Sequence, residues 1–430
     1  MNFSWRFRLL TLGVLLGFPV LLAAQSQWSL SQVRQDSADY SLGVRSEFFL
    51  NSDALDNDFF LAFLGNRDFI ETSVKDRISD RLGSENRFGG ELNTGLFFSG
   101  PLARGKGDNP FRLSYFIGLA DRQHVHSIFS EDVFRLGFYG NKRFAGDTAK
   151  LGDFELHAYQ YQQLQTGVHY DNGRGRILAA GLSFLKGQGQ QSIEVQQLDL
   201  FTSETGDYLA ADTRARVRQN DSSNTNLDAF NGLGASIDVM VQYQFNLLEV
   251  NRHGNGWLRL EVNDLGYLWW NDESLDYRVD SVYEFEGVVF DNLFDLNDSL
   301  LQSQNPSRIV DDIENSQGRS SYRTLLPAQF RLTFSQDHHR GFNFSMRIEQ
   351  RLQAQFKTFV LLKESYRLKP WFRVALMGGV GGYGRYYAGA EAQLKFAHWE
   401  LLLGSNSLEG VVLPKNSSGS NGYLALRTSF

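Results

Sequence analysis

The sequence predicts an all-β protein, a transmembrane antiparallel β-barrel of about 14–16 strands with a short N-terminal helical segment and one long loop. Three observations carry this. Apolar and polar residues alternate over stretches longer than an ordinary strand, the first 26 residues read as an export signal, and the chain ends on an alternating strand closed by Phe430.

Composition narrows the class before any element is drawn. The 430 residues include 35 Phe and 17 Tyr but no Cys, and 42% are hydrophobic, yet the mean hydropathy is -0.33. Without Cys there are no disulfides, thiolate metal sites, Fe–S clusters or Cys nucleophiles. A net charge of -7 argues against a nucleic-acid partner, which needs a basic face. Negative hydropathy beside so many rings fits a chain in which each apolar strand residue is followed by a polar one.

At the N-terminus, Arg6 and Arg8 precede an apolar run from Leu9 to Leu22, followed by Ala23-Ala24-Gln25-Ser26. A positive start, a short apolar core and small exit residues make a secretory signal peptide, with cleavage after Ala24 or after Ser26. Residues 27–87 are expected as an N-terminal segment. In it, Ile70, Val74, Ile78 and Leu82 recur at spacing four beside Glu71, Lys75, Asp76 and Arg77, an amphipathic helix. That helix could plug the barrel, pack at its periplasmic mouth, or merely link.

Residues 88–430 are expected to form the barrel. In Asn231–Leu247 the odd positions Leu233, Ala235, Ile237, Val239, Val241, Tyr243 and Phe245 alternate with Gly234, Ser236, Asp238, Met240, Gln242 and Gln244. Phe330, Leu332 and Phe334 alternate with Arg331, Thr333 and Ser335; Phe344, Met346 and Ile348 with Ser345, Arg347 and Glu349; Leu258, Leu260 and Val262 with Arg259 and Glu261. A soluble sandwich would hide the apolar face, whereas a membrane barrel turns it to lipid and the polar face to the lumen. Strand length, the export signal and aromatic residues near segment ends favour the barrel: Tyr139, Tyr170, Tyr267, Trp269, Trp270, Tyr366, Trp371, Tyr383, Tyr386 and Tyr387. Lumen-lining candidates are then Asp238, Gln242, Gln244, Arg259, Glu261, Arg331, Arg347 and Glu349. Their mixed signs suggest internal ion pairs and a filled lumen rather than an ion-selective ring.

The segment 271–324 is a long insertion rich in Asp, Asn and Ser, with room for a helix at Asp291–Gln302. Short turns at Asp171–Arg174, Thr202–Gly206, Asp337–Arg340, Arg367–Pro370 and Phe396–His398 are expected on the side of the C-terminus, which in such barrels is periplasmic. The long insertion then falls at the outer face. In the last strand, Leu424, Leu426 and Phe430 share one face, and an alternating strand with a terminal aromatic resembles the signal that barrels present to their assembly machinery.

Several phrases in order carry a wider resemblance: Tyr139-Gly140-Asn141-Lys142, the Gln-rich Tyr159–Tyr170, Asn263-Asp264-Leu265-Gly266 ahead of Trp269-Trp270, Tyr283-Glu284-Phe285-Glu286-Gly287, and Leu325-Leu326-Pro327. From Asp39 to Phe430 the chain resembles a family of Bacteroidota outer-membrane barrels known only as a domain of unknown function. It is similar in layout to the fatty-acid-transporter-like barrels, including the type IX secretion shuttle and anchor barrels. The resemblance implies no catalytic residue. Read locally, Asn263–Gly266 marks a bulge or bend at a strand's end, where Gly permits it.

Sites of reaction chemistry are not expected. His124 and His126 share a face if extended, but no third ligand is assignable, and a loop position near a turn is the expectation. Asp53, Asp56 and Asp58 lack the Gly and distal Glu of a calcium loop and are expected as a solvated acidic stretch. His157 and His169 are the strand-borne candidates for a base, with no Gly-x-Ser-x-Gly element. No catalytic, cofactor or metal residue is therefore assigned. Two functions remain: a constricted channel or transporter for a small or hydrophobic solute, or a structural adaptor whose segment 271–324 docks a partner protein. Expected partners are outer-membrane lipids and the barrel assembly machinery, in the outer membrane of a Gram-negative bacterium.

Overall fold

The computed structural model describes residues 40–430 except 65–69, 106, 108–109, 221–223, 225–229, 246–255, 287–317, 353 and 413–416. The signal segment with Ala24 and Ser26, and the helix expected at 291–302, lie outside the described residues.

The strands are β1 (Ser41–Ser52), β2 (Asn86–Arg104), β3 (Arg112–Phe129), β4 (Asp147–Lys150), β5 (Phe154–Asp171), β6 (Arg176–Thr202), β7 (Tyr208–Gln219), β8 (Gly232–Phe245) and β9 (Gly256–Trp270). They continue with β10 (Leu275–Glu286), β11 (Tyr322–Leu325), β12 (Gln329–His339), β13 (Phe342–Arg351), β14 (Lys357–Lys369), β15 (Phe372–Gly382), β16 (Tyr386–Phe396), β17 (Trp399–Ser405) and β18 (Gly419–Ser429). Antiparallel pairing runs β1-β2-β3-β5-β6-β8-β9-β12 and then in order to β18, which pairs back to β1. That is a closed barrel of 14 strands. Strand β11 is the upper part of the β12 stave, set apart by Leu326-Pro327-Ala328, where Leu326 N donates to Gly266 O at 3.0 Å.

Burial is inverted relative to a water-soluble fold. Leu96, Ile117, Leu164, Leu182, Ile237 and Leu260 are exposed on the outer wall, while Arg45, Glu91, Arg122, Gln163, Glu261 and Arg351 are buried inside. Water would not tolerate an apolar belt of this extent, but lipid demands it. Outward aromatics rim the belt at both ends: Tyr170, Tyr243, Tyr366, Trp371 and Trp399 at the C-terminal end, Tyr267, Trp269 and Tyr386 at the other. Alternation also divides the expected girdle. Trp270, Tyr383 and Tyr387 are buried inside, and Trp270 Nε1 donates to Thr324 Oγ1 at 3.0 Å.

The barrel begins at Ser41, ahead of the boundary expected at 88. Leu42 and Val44 face out and Arg45 and Glu47 face in, so β1 is a stave, and it closes the ring from Ser41↔Ser429 to Asn51↔Gly419. Because β1 runs away from the C-terminal end, the segment after it lands at the opposite end. Helix α1 (Asn57–Leu64), helix α2 (Thr72–Ser79) and helix α3 (Glu131–Tyr139) form a cap there. The amphipathic helix expected from Ile70, Val74, Ile78 and Leu82 is α2, and it lies in this cap. Val74 and Ile78 pack with Leu50, Phe59, Phe60 and Phe134. Asp56 Oδ1 accepts from Phe59 N at 3.1 Å, and Arg77 joins Asp56 at 2.8 Å and Asp58 at 3.1 Å. Asp53 meets Lys357 Nζ at 3.1 Å. The acidic stretch is thus the cap's anchorage, not a solvated run.

Tyr139 ties α3 to α2: its Oη donates to Asp76 Oδ1 at 2.6 Å. Burial, and then that hydrogen bond, push the phenol up to about 12. An unfolded phenol titrates near 10, so this contribution is present below about pH 10 and is lost as pH rises toward the folded value. We expect the cap to loosen across that alkaline window, read as a fall in near-ultraviolet circular dichroism that Tyr139→Phe lacks. Equal loosening in both proteins would assign it to another group.

Strand β6 has 27 residues, against the roughly 9–11 needed to cross hydrocarbon. Its upper half leaves the barrel and pairs with β4 and β7, and β7 pairs with β10. The turn Thr202–Gly206 therefore stands at the end opposite the C-terminus, contrary to the sequence expectation. A strand that keeps its period past the membrane carries its turn to the far side. The turns at 171–174, 337–340, 367–370 and 396–398 do lie at the C-terminal end. The insertion opens with a regular strand, β10.

Candidate functional site

Inward side chains fill the lumen from wall to wall. Half-way round the ring from β2, Arg351 of β13 ion-pairs with Glu91, and Arg351 Nε donates to Glu349 Oε1 at 3.0 Å. Arg331 continues the line, 3.5 Å from Glu349 and 3.5 Å from Glu261. On the other side Glu91 Oε1 meets His124 Nδ1 at 2.8 Å, and His124 Nε2 meets His126 Nδ1 at 3.0 Å. The result is a chain of alternating charge that spans the bore. Buried charges persist only when paired and hydrogen-bonded, and each member here has an opposite charge or a polar partner.

A second bridge is built by the bulge in β9. Asp264 has φ 55°, and the β8–β9 register shifts between Ile237 and Val239. Asn263–Gly266 thus bends the interior of a strand rather than its end. The bulge turns Asp264 inward, where Arg122 Nη1 lies 3.5 Å away and Gln163 Nε2 donates at 3.1 Å. Asp238 Oδ1 accepts from Asp264 N at 2.8 Å, and Gln165 Nε2 donates to Asp238 Oδ2 at 2.6 Å. Arg45 Nη2 donates to Glu47 Oε2 at 3.1 Å nearby.

Of the residues named from sequence, Asp238, Glu261, Arg331 and Glu349 are buried inside the barrel. Gln242, Arg259 and Arg347 are half-buried on the same face, and Arg259 Nε donates to Gln242 Oε1 at 2.9 Å. Gln244 is exposed near the C-terminal end of β8. Sequence reasoning missed Glu91, Arg122, Asp264 and Arg351. Arg351 had a signal, since it continues the two-residue step of Arg347 and Glu349. His124 and His126 are interior strand residues, not loop residues, and His157 stacks on His126 with ring centroids 4.8 Å apart. No group of three or more His, Cys, Asp or Glu among the described residues is arranged to hold a metal.

Two spaces remain. One, of about 10 Å³ beside Glu47, Glu91, Arg331, Glu349 and Arg351, has room for at most one water. The other, about 530 Å³, opens at the capped end. Its cause is the short β17, which pairs with β16 only from Ala390 onward and so leaves a notch beside Tyr386–Gly389. Helix α4 (Leu408–Val412) and the start of β18 border the notch, with Asn51 across from them and Arg81 and Arg385 at its rim.

A closed antiparallel barrel with an apolar exterior and a charge-bridged interior defines a membrane-spanning barrel of the outer-membrane kind. The chain belongs to the family of unknown function DUF5723, whose model matches residues 39–406. A search of the curated proteins found no match. Among solved structures it is similar to the Pseudomonas putida toluene transporter TodX, at 7% identity over 92% of this chain and 91% of that one, TM-score 0.44. It is also similar to a Pseudomonas aeruginosa FadL homologue, at 9% identity over 92% and 91%, TM-score 0.42. The translocator domain of the Neisseria meningitidis autotransporter NalP matches at 8% identity over 93% and 91%, TM-score 0.34.

Proposed function

We propose that this protein is a constricted outer-membrane channel for a small solute, closed at rest by its own cross-lumen ion pairs. The single observation behind this is the line of buried ion pairs from Glu261 through Arg331, Glu349 and Arg351 to Glu91, which joins opposite walls of the barrel. The C-terminal end, with its short turns, faces the periplasm in this reading, and the capped end faces out.

In planar bilayers the purified barrel should give small, infrequent openings. Replacing Glu261 and Arg331 together by Ala removes an opposite-charge pair while Glu349 keeps Arg351, so conductance should rise above wild type. A folded double variant that stays silent would count against a charge-bridge gate.

One observation supports the second reading, a docking barrel. Strands β4, β7, β10 and the upper part of β6 stand beyond the ring as a sheet, and Val282 on β10, within the 271–324 segment, is 66% exposed. A silent barrel that co-purifies with one fixed partner, lost on deleting residues 287–317, would favour it.

A further inference from the structure

We propose that the lumen between the charge bridge and the C-terminal mouth is a binding site for a small oxyanion, a carboxylate or a phosphate. The inference deepens the channel reading by naming the class of solute, and its part in transport rests on that reading.

Water reaches the inward residues of this half, as it does not reach those of the bridge. Arg259, Arg347, Lys363, Arg373 and Arg427 are half-buried, while Glu261, Arg331, Glu349 and Arg351 are buried. The carboxylates here are already engaged. Glu391 pairs with Lys363 at 3.0 Å, and Glu400 pairs with Arg427. Asp337 accepts from Asn343 Nδ2 at 2.8 Å, and Asp171 accepts from Gly173 N at 2.8 Å. Positive charge is left over. The side chains of Arg347 and Arg373 have no hydrogen bond or ion pair among the described residues. Arg373 also stands opposite Arg367 in the β14–β15 pairing, and like charges directly opposite destabilise a sheet.

Arg347 sits in a row of donors. Thr333 on β12 is the in-register partner of both Arg347 on β13 and Arg259 on β9. The α-carbons of the two arginines are therefore two strand spacings apart, about 10 Å. Arg259 Nε donates to Gln242 Oε1 at 2.9 Å, which leaves the Gln242 amide nitrogen as a further donor. A guanidinium stays charged and accepts nothing, and its planar fork matches the oxygens of a carboxylate or phosphate two at a time. An anion held here gives Arg347 a partner and screens it from Arg331, its diagonal neighbour on β12. A cation would meet repulsion, and an uncharged solute would leave the surplus charge in place.

The test uses the full barrel in a nonionic detergent at low ionic strength. Succinate and inorganic phosphate are titrated by calorimetry, with choline and glycerol as controls. At least one anion should bind, neither control should, and the stronger anion tells carboxylate from phosphate. Arg347→Gln should bind that anion about tenfold more weakly. Because Arg347 has no partner in the fold, the same variant should keep the wild-type urea midpoint without anion. Arg373→Gln, nearer the mouth, should weaken binding as well. Binding of neither anion, equal binding of choline or glycerol, or unchanged affinity in both variants would overturn the site. So would a lower urea midpoint in anion-free Arg347→Gln, which would mean that the guanidinium is paired within the fold. A barrel that binds an anion yet never conducts removes the channel reading and leaves the site. One that conducts without binding does the reverse.

Discussion

Arg351→Met should lower the unfolding free energy of the barrel in lipid vesicles by about 3–5 kcal/mol, the usual cost of leaving a buried charge without its partner. Arg351 is buried, ion-paired with Glu91 and Glu349, and flanked by the rings of Phe49 and Phe356 with its guanidinium carbon 5.2 and 4.7 Å from their centroids. Methionine keeps much of the apolar stem and loses the charge, so two carboxylates then face one another in the bore. The cost should fall sharply in Arg351→Met/Glu91→Gln/Glu349→Gln, in which no charge is stranded. A urea midpoint equal to wild type in the single variant would mean that the bridge is solvated rather than buried.

Leu182→Arg tests the outer wall with the opposite logic. Leu182 sits midway along the barrel part of β6, paired with Thr166 and Ile237, and is 57% exposed. On a water-soluble protein an exposed Leu→Arg change is worth within about 0.5 kcal/mol. At the midplane of a bilayer it should cost about 2–4 kcal/mol. The same substitution at Leu102, at the C-terminal end of β2, should cost less, since the penalty falls toward the interface. Equal, negligible costs at both positions would mean that no lipid touches this face.

The parts of the fold legible in the sequence were those with an unbroken period. Strand β8 and the β12–β13 hairpin alternate without a fault, so Asp238, Arg331 and Glu349 could be placed on the polar face. Strand β1 was missed because only Leu42 and Val44 mark its lipid face before Phe48-Phe49-Leu50 turns into the cap. Glu91 was hidden behind Gly89-Gly90, which blur the alternation. Asp264 could not be read inward, because a bulge with positive φ sets its direction and local period does not. Trp269 and Trp270 looked alike in sequence, yet one step of the pleat puts the first toward lipid and the second against Gly187 and Gly232. Which charges meet across the bore depends on ring closure, and no local pattern carries that.

The β1–β18 seam has a kinetic consequence. Its partners, from Ser41↔Ser429 to Asn51↔Gly419, are drawn from the two ends of the described chain, and Tyr40 and Phe430 exchange backbone hydrogen bonds at its foot. A contact of such sequence separation forms late. Until β18 arrives, β1 presents an unpaired edge, ready to join any stray strand. The barrel therefore cannot mature progressively from its N-terminus. Its first strand, held on one side by β2, must keep its other edge covered until its last one has been made.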